Sequence, residues 1–209
     1  MARATLAAFL LTMWLSGQAA PPEAPSPAPC TCATAKLENG WCEAHGRGYV
    51  ASIEIRSKLV YETLDAHGHT LDLSTFQCAA CQKAIASDGF CEDHRVGFVN
   101  RQVYFSRLTY ELARGQTRDP ATLTCPVCRK NAESRGWCEK CGLGMVGRVA
   151  MKDRQGYEHA ARAAEILQAA TQAAQRCEWC AVAMITDTQC PLCKIIYKDG
   201  KPLASTDRR

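Results

Sequence analysis

Cys125 and Cys128, nine residues, then Cys138 and Cys141 make a frame that a folded chain can satisfy in few ways. The same frame recurs at Cys177, Cys180, Cys190 and Cys193, at Cys78, Cys81, Cys91 and His94, and, one residue tighter at its start, at Cys30, Cys32, Cys42 and His45. The four sets use all 14 cysteines of the chain. Two ligands three positions apart can point at one ion, and a second pair brought opposite completes a tetrahedron. Thiolate with imidazole at this spacing suits Zn²⁺, four ions in all, with iron as the competitor at the two all-cysteine sets.

These residues resemble the zinc-ribbon families, in particular the double-zinc-ribbon type, in which two CxxC pairs stand about ten residues apart. The resemblance covers the four ligand sets and the hairpins after them, and leaves the helical segments aside. It implies metal-dependent folding and a structural or docking role more than catalysis. The expected fold class is α+β: four small metal-stabilised tandem zinc ribbons with β-hairpins, three of them followed by a helix.

The first ligands stand at positions 30, 78, 125 and 177. Repeats of that length bury little core alone, and a metal supplies the missing stabilisation. The expected units are residues 30–77, 78–124, 125–176 with a long helix, and 177–209, which stops at Arg209 where its helix would begin and so reads as a terminal cap. Ahead of them, residues 1–19 read as a signal peptide: Arg3, an apolar run from Leu6 to Leu15, then small Gly17 and Ala19 at the expected cut. The run is too short to span a bilayer. Gln18 stands where a lipidated cysteine would have to be, so no lipid anchor is expected. Residues 20–29 are a Pro-rich linker. These features place the chain outside the cytoplasm, secreted or periplasmic.

Aligned on the third ligand, the units agree beyond the metal frame. Gly40 with Trp41, Gly89 with Phe90 and Gly136 with Trp137 precede that ligand, and Gly48, Gly97 and Gly144 follow it. The glycines suggest positive φ at knuckle turns. Strands then run through Tyr49 and Val50, Phe98 and Val99, Met145 and Val146, and return through Ile53 and Ile55, Val103 and Phe105, or Val149 and Met151. In the last unit Asp199 and Gly200 mark a two-residue hairpin. Ser57, Ser106 and Asp153 are suited to cap helices, and Tyr61, Tyr110 and Tyr157 follow, each with a glutamate next to it. The tyrosines are expected to pack each helix on its ribbon and the glutamates to face solvent. The first two helices should end near Gly68 and Gly115. The third, Ala-rich from Tyr157 to about Arg176, carries a weak apolar face with Ile166 and Leu167 and should pack within the chain.

The formal charge is +4, but fourteen thiolates and four divalent ions would bring it slightly below zero. The basic residues are scattered without a phosphate track, which argues against a nucleic-acid partner. No CxxCH occurs, which excludes covalent haem. A disulfide framework suits an oxidising compartment, yet His45 and His94 at the fourth positions serve a metal and are purposeless in a disulfide set. Thioredoxin-like chemistry needs a CxxC at a helix N-terminus, and no flanking segment reads so. His67 and His69 read as ordinary loop residues rather than a further metal site, and His159 has no evident partner. No catalytic set, phosphate loop or dinucleotide fingerprint is present, so neither an enzyme nor a small-molecule substrate is expected. The expected role is a metal-stabilised scaffold for an unidentified protein partner. The alternatives are metal handling (buffering, sensing or delivery of zinc or copper) and a disulfide-stapled structural protein.

Overall fold

The computed structural model describes residues 30–203. The expected signal peptide and Pro-rich linker lie outside the described residues. Within them the chain is a small α+β protein with seven α-helices and several small antiparallel sheets. Among the described residues no helix is long and apolar enough to cross a membrane.

One order of elements surrounds each of the first three cysteine clusters: a short helix, three short antiparallel strands, a second helix. Around the first it runs α1 (Cys32–Glu38), β1 (Trp41–Cys42), β2 (Arg47–Val50), β3 (Ile53–Ile55) and α2 (Lys58–Leu64). Around the second it runs α3 (Ala79–Ala86), β4 (Phe90–Cys91), β5 (Val96–Val99), β6 (Gln102–Tyr104) and α4 (Arg107–Arg114). A short β7 (Gln116–Thr117) follows, then α5 (Pro126–Glu133), β8 (Arg135–Cys138), β9 (Leu143–Val146), β10 (Val149–Met151) and the long α6 (Arg154–Ala173). Last come α7 (Glu178–Thr186), β11 (Tyr197–Lys198) and β12 (Lys201–Pro202).

Successive groups are stitched by backbone pairing. His69, beyond α2, bridges Val103 of β6 with reciprocal hydrogen bonds of 2.9 Å, and β7, beyond α4, adds to the edge of β10. His69 therefore serves as a linking residue, and its Nε2 lies 3.0 Å from Asp65.

The hairpin loops are two residues long, which selects turns with positive φ. Asp199 and Gly200 supply it as the sequence predicts, whereas Ala51 (φ 51°) and Ser52 (φ 65°) meet the same demand without glycine. L-residues in that region are strained, so Ser52→Gly should stabilise the protein by about 0.5–1 kcal/mol, read as a raised urea midpoint at unchanged m-value.

The glycines of the strands have a different purpose from the one expected. Gly48, Gly97 and Gly144 do not have positive φ. Each lies under a tyrosine of the following helix, and a Cβ there would meet the ring of Tyr61, Tyr110 or Tyr157 at 2.5, 2.2 and 2.4 Å. Those rings also pack on Trp41, Phe90 and Trp137, with centroids 5.3, 5.2 and 5.5 Å apart. Tyr61 and Tyr110 donate through their hydroxyls to the carbonyls of Asn39, the C-cap of α1, and Asp88, the residue after the C-cap of α3. The tyrosine thus ties the second helix of its group to the first. Gly97→Ala would displace the Tyr110 ring and should cost about 1–3 kcal/mol, measured as a fall in thermal midpoint.

Glu62 and Glu158 face solvent as expected, but Glu111 is buried. α4 lies against α6, and there Arg107 Nε and Arg114 Nη1 donate to the Glu111 carboxylate at 2.9 and 3.2 Å. Arg107 also donates to His159 Nδ1, which gives that histidine its partner. A buried carboxylate is retained only where such donors replace water.

The main core collects around α6. Its stripe Gly156, Ala160, Ala164, Leu167 and Ala170 is buried, and the small side chains let α4 and α7 approach closely. Val60 and Leu64 of α2, Leu108 and Leu112 of α4, Val146 and Val149, and Met184 of α7 join it. The apolar face read at Leu167 does pack within the chain. Of the helix ends, that of α2 differs from expectation: it stops at Leu64, where Asp65 takes the left-handed conformation in place of Gly68, whereas α4 ends before Gly115 and α6 begins at Arg154 behind the Asp153 cap as expected.

Candidate metal centres

Each cluster draws its ligands from three places. In three of them the first cysteine (Cys78, Cys125, Cys177) is the N-cap of the short helix, and the second (Cys81, Cys128, Cys180) lies in its first turn. The third ligand ends a strand in the first three clusters, at Cys42, Cys91 and Cys138, and Cys190 stands in that place beside the last hairpin. The fourth (His45, His94, Cys141, Cys193) sits in the turn that follows, and the next residue, Gly46, Arg95, Gly142 or Lys194, has positive φ. That left-handed residue reverses the chain so that the strand after it pairs back on the one before.

A CxxC at a helix N-terminus is what the sequence reading did not find. The segments after Cys78 and Cys125 are rich in good helix formers, Ala79, Ala80, Gln82 and Lys83, or open on Pro126 at the first helical position. None of these helices has a side-chain cap bond, since cysteine occupies the cap, so the usual start signal is missing. The strands beside them are antiparallel, and no βαβ crossover of the thioredoxin kind surrounds the cysteines. In the ribbon picture both pairs of a set occupy hairpin turns; here only the second pair does.

The first cluster adapts to its missing residue by a shift along the helix. Thr31 becomes the N-cap, Cys32 the first helical residue, and Cys30 stands outside. All sixteen residues singled out in the sequence nonetheless come together as four groups of four, Cys30, Cys32, Cys42 and His45; Cys78, Cys81, Cys91 and His94; Cys125, Cys128, Cys138 and Cys141; Cys177, Cys180, Cys190 and Cys193. Within each group the ligand atoms lie within 4.8 Å of one another. His67 and His69 belong to none of these groups.

The separations test whether a metal fits. A tetrahedral ion with metal–sulfur bonds of about 2.3 Å requires sulfur–sulfur edges of about 3.8 Å, and sulfur–nitrogen edges of about 3.5 Å to an imidazole. Cys125 and Cys138 Sγ are 3.9 Å apart, Cys177 and Cys190 3.8 Å, and Cys177 and Cys193 3.8 Å. His45 Nδ1 stands 3.3 and 3.5 Å from Cys32 and Cys42, and His94 Nδ1 3.5 and 3.6 Å from Cys81 and Cys91. A disulfide would need about 2.05 Å. The donor sets can therefore hold a metal ion, through Nδ1 where a histidine takes part.

Electrostatics point the same way. The N–H groups of Cys128 and Val127 pull Cys125 down to about 6, and His45 pulls Cys42 down to about 5. Burial, then the neighbouring cysteines, push Cys81 up to about 12 and Cys128 higher still. In Cys180 burial dominates, taking it to about 12. A cluster without a cation thus keeps some of its sulfurs protonated, and a bound cation removes those protons.

At three of the four sites a buried cysteine is backed by a large residue of a neighbouring strand. Phe98 packs with Cys81 and Cys91, Tyr49 with Cys42, and Tyr197 joins Cys180 and Cys190. Two residues of this scaffold escaped the sequence reading. Asn39 and Asp88 have positive φ, and their Oδ1 atoms each accept the N–H at a hairpin tip, Ala51 and Asn100, at 2.9 Å. Their signal was the Asn-Gly and Asp-Gly pairs before each aromatic residue.

The chain matches no protein-family model, no curated protein and no solved structure.

Proposed function

We propose that the chain is a secreted or periplasmic scaffold of four tandem ribbon-like units, each closed by a structural Zn²⁺, that binds another protein. The observation that carries the reading is the grouping of each ligand set: four donor atoms within 4.8 Å of one another, with pairs such as Cys125–Cys138 and Cys177–Cys190 at tetrahedral edge distances, so that an ion held by all four has no position left for water or substrate. Such an ion cannot activate water, so it serves folding. The ligands are the sixteen residues named above. Thiolates and imidazoles in this arrangement favour zinc over harder cations, and iron competes at the two all-cysteine sets.

Native mass spectrometry of the purified chain, repeated after denaturation, tests it. Four zinc ions with all 14 thiols free is the expected result. A metal-free chain lighter by about two daltons for each cysteine pair would make it a disulfide-stapled protein instead.

Metal handling is the second reading. Its support is exposure: the fourth ligand, His45, His94, Cys141 or Cys193, faces solvent at every site. A carrier would surrender its metal to a competing chelator while staying folded, whereas a scaffold would melt as the metal leaves.

A further inference from the structure

In the first three groups the residue paired across from the strand glycine is covered by the helix that follows. Ile55 opposite Gly48 is 0% exposed, Tyr104 opposite Gly97 6%, and Met151 opposite Gly144 6%. The last group has the same register without the cover. Leu203 N–H donates to Ile196 O at 2.8 Å, which puts Leu203 opposite Ile196, and these are 52% and 48% exposed. Strand alternation puts Lys198 and Lys201, themselves a cross-strand pair, on that face too. The opposite face is occupied, since Tyr197 is buried in the main core.

Two differences from the other groups define what can cover this face. Ile196 stands where the others have glycine, so a tyrosine ring cannot seat itself as Tyr110 does on Gly97. Lys201 takes part in no ion pair among the described residues, and Lys198 shares Asp187 with Arg95 at 3.6 Å. Leu192 and Ile195, on the turn beside the fourth ligand, are also exposed. These four aliphatic side chains offer on the order of 350 Å², well short of the roughly 800 Å² a side that a stable dimer uses. Residues 204–209, which follow here, contain no large apolar side chain.

From this we infer that the Ile196–Leu203 face is a docking site for one amphipathic helix of a partner protein, with an aliphatic stripe flanked by glutamates or aspartates. The helix takes the place that α2, α4 and α6 take in the other groups. Aliphatic side chains meet Ile196 and Leu203, and the acids meet Lys198 and Lys201. The assignment rests on the scaffold reading and names its surface.

The test uses the full zinc-loaded chain and an 18-residue helical peptide with a Leu/Ala stripe flanked by Glu, labelled for fluorescence anisotropy. Saturable binding is expected, weakened at least about tenfold by Leu203→Asp and about threefold or more by Lys201→Glu, and at least about tenfold weaker for the same peptide with Lys in place of Glu. Both substituted side chains are exposed, and an unchanged zinc content and circular dichroism spectrum confirm that the variants fold. Equal binding by Leu203→Asp, or by the Lys peptide, overturns the inference. So does Leu203-dependent sedimentation with phosphatidylserine vesicles in place of peptide binding, which would make the face a lipid contact. A concentration-dependent dimer abolished by Leu203→Asp would assign the face to a second copy. Photo-crosslinkers placed in cells at Leu203 and at exposed Phe105 separate the two levels. Protein adducts at Phe105 with no peptide binding sink the docking site alone, and no protein adduct at either position sinks the scaffold reading with it.

Discussion

Stripping the metal with a strong chelator at neutral pH should abolish the cooperative thermal transition and most of the native circular dichroism, and readdition of zinc should restore both. Structural zinc contributes about 10–16 kcal/mol per site in small peptides at pH 7, as much as the whole stability of a typical domain, about 5–15 kcal/mol. Nothing else in a single group could replace it. The cores beside the second and first clusters, around Phe98 and around Tyr49, are small and include ligand cysteines among their members. Without an ion, the buried cysteines, Cys42 in the first set and two in each of the others, lose the ligand bonds that compensate their burial. The same logic makes Cys138→Ser costly, because Cys138 is buried and its oxygen analogue is a poor zinc ligand. That variant should retain three zinc ions by native mass spectrometry. A chelated protein that melts like the loaded one would remove the structural role from all four sites.

Leu167→Ala should be the most damaging apolar truncation, lowering stability by about 2–5 kcal/mol. Leu167 is the largest side chain in the buried stripe of α6, and its neighbours there are Ala160, Ala164 and Ala170. Alanines on helices already in contact cannot move inward to fill the space, so the cavity term persists. For a chain of this size the loss corresponds to a fall in thermal midpoint of roughly 2–4 °C per kcal/mol. Ala164→Leu tests the same packing from the other direction, with a cost of about 1–3 kcal/mol from overpacking against the adjoining helices. If both variants melt like the parent, α6 is not the centre of the core.

The ligand sets were legible because each is made of two pairs of ligands close in sequence and nine residues apart, a spacing that repeats four times along the chain. The Asp153 cap and the Asp199–Gly200 turn were legible for a similar reason, each being a local rule written in adjacent residues. The short helices α3, α5 and α7 were not, since cysteine in the cap position hides the start and eight or nine residues are too few for periodicity to show. The strand glycines were visible, but their purpose was not. Close approach of a tyrosine from a residue thirteen positions later leaves no mark that differs from a turn glycine. Glu111 misled because Glu62 and Glu158 at the matching positions do face solvent. Only α4 lies so against α6 that its glutamate is enclosed by arginines.

The position of α6 also fixes the order in which the molecule can be completed during synthesis. Val60 and Leu64 of α2 share one core with the buried stripe of α6 and pack against α7, about 100–120 positions later in the chain. Contacts so distant in sequence form late and slowly. The first two clusters can gather their ligands as soon as they are made, yet the apolar side of α2 stays open to water until the last third of the chain exists. A nascent chain in that state is a string of closed knots with one bare flank, and the interval before α6 arrives is when it is most exposed to aggregation.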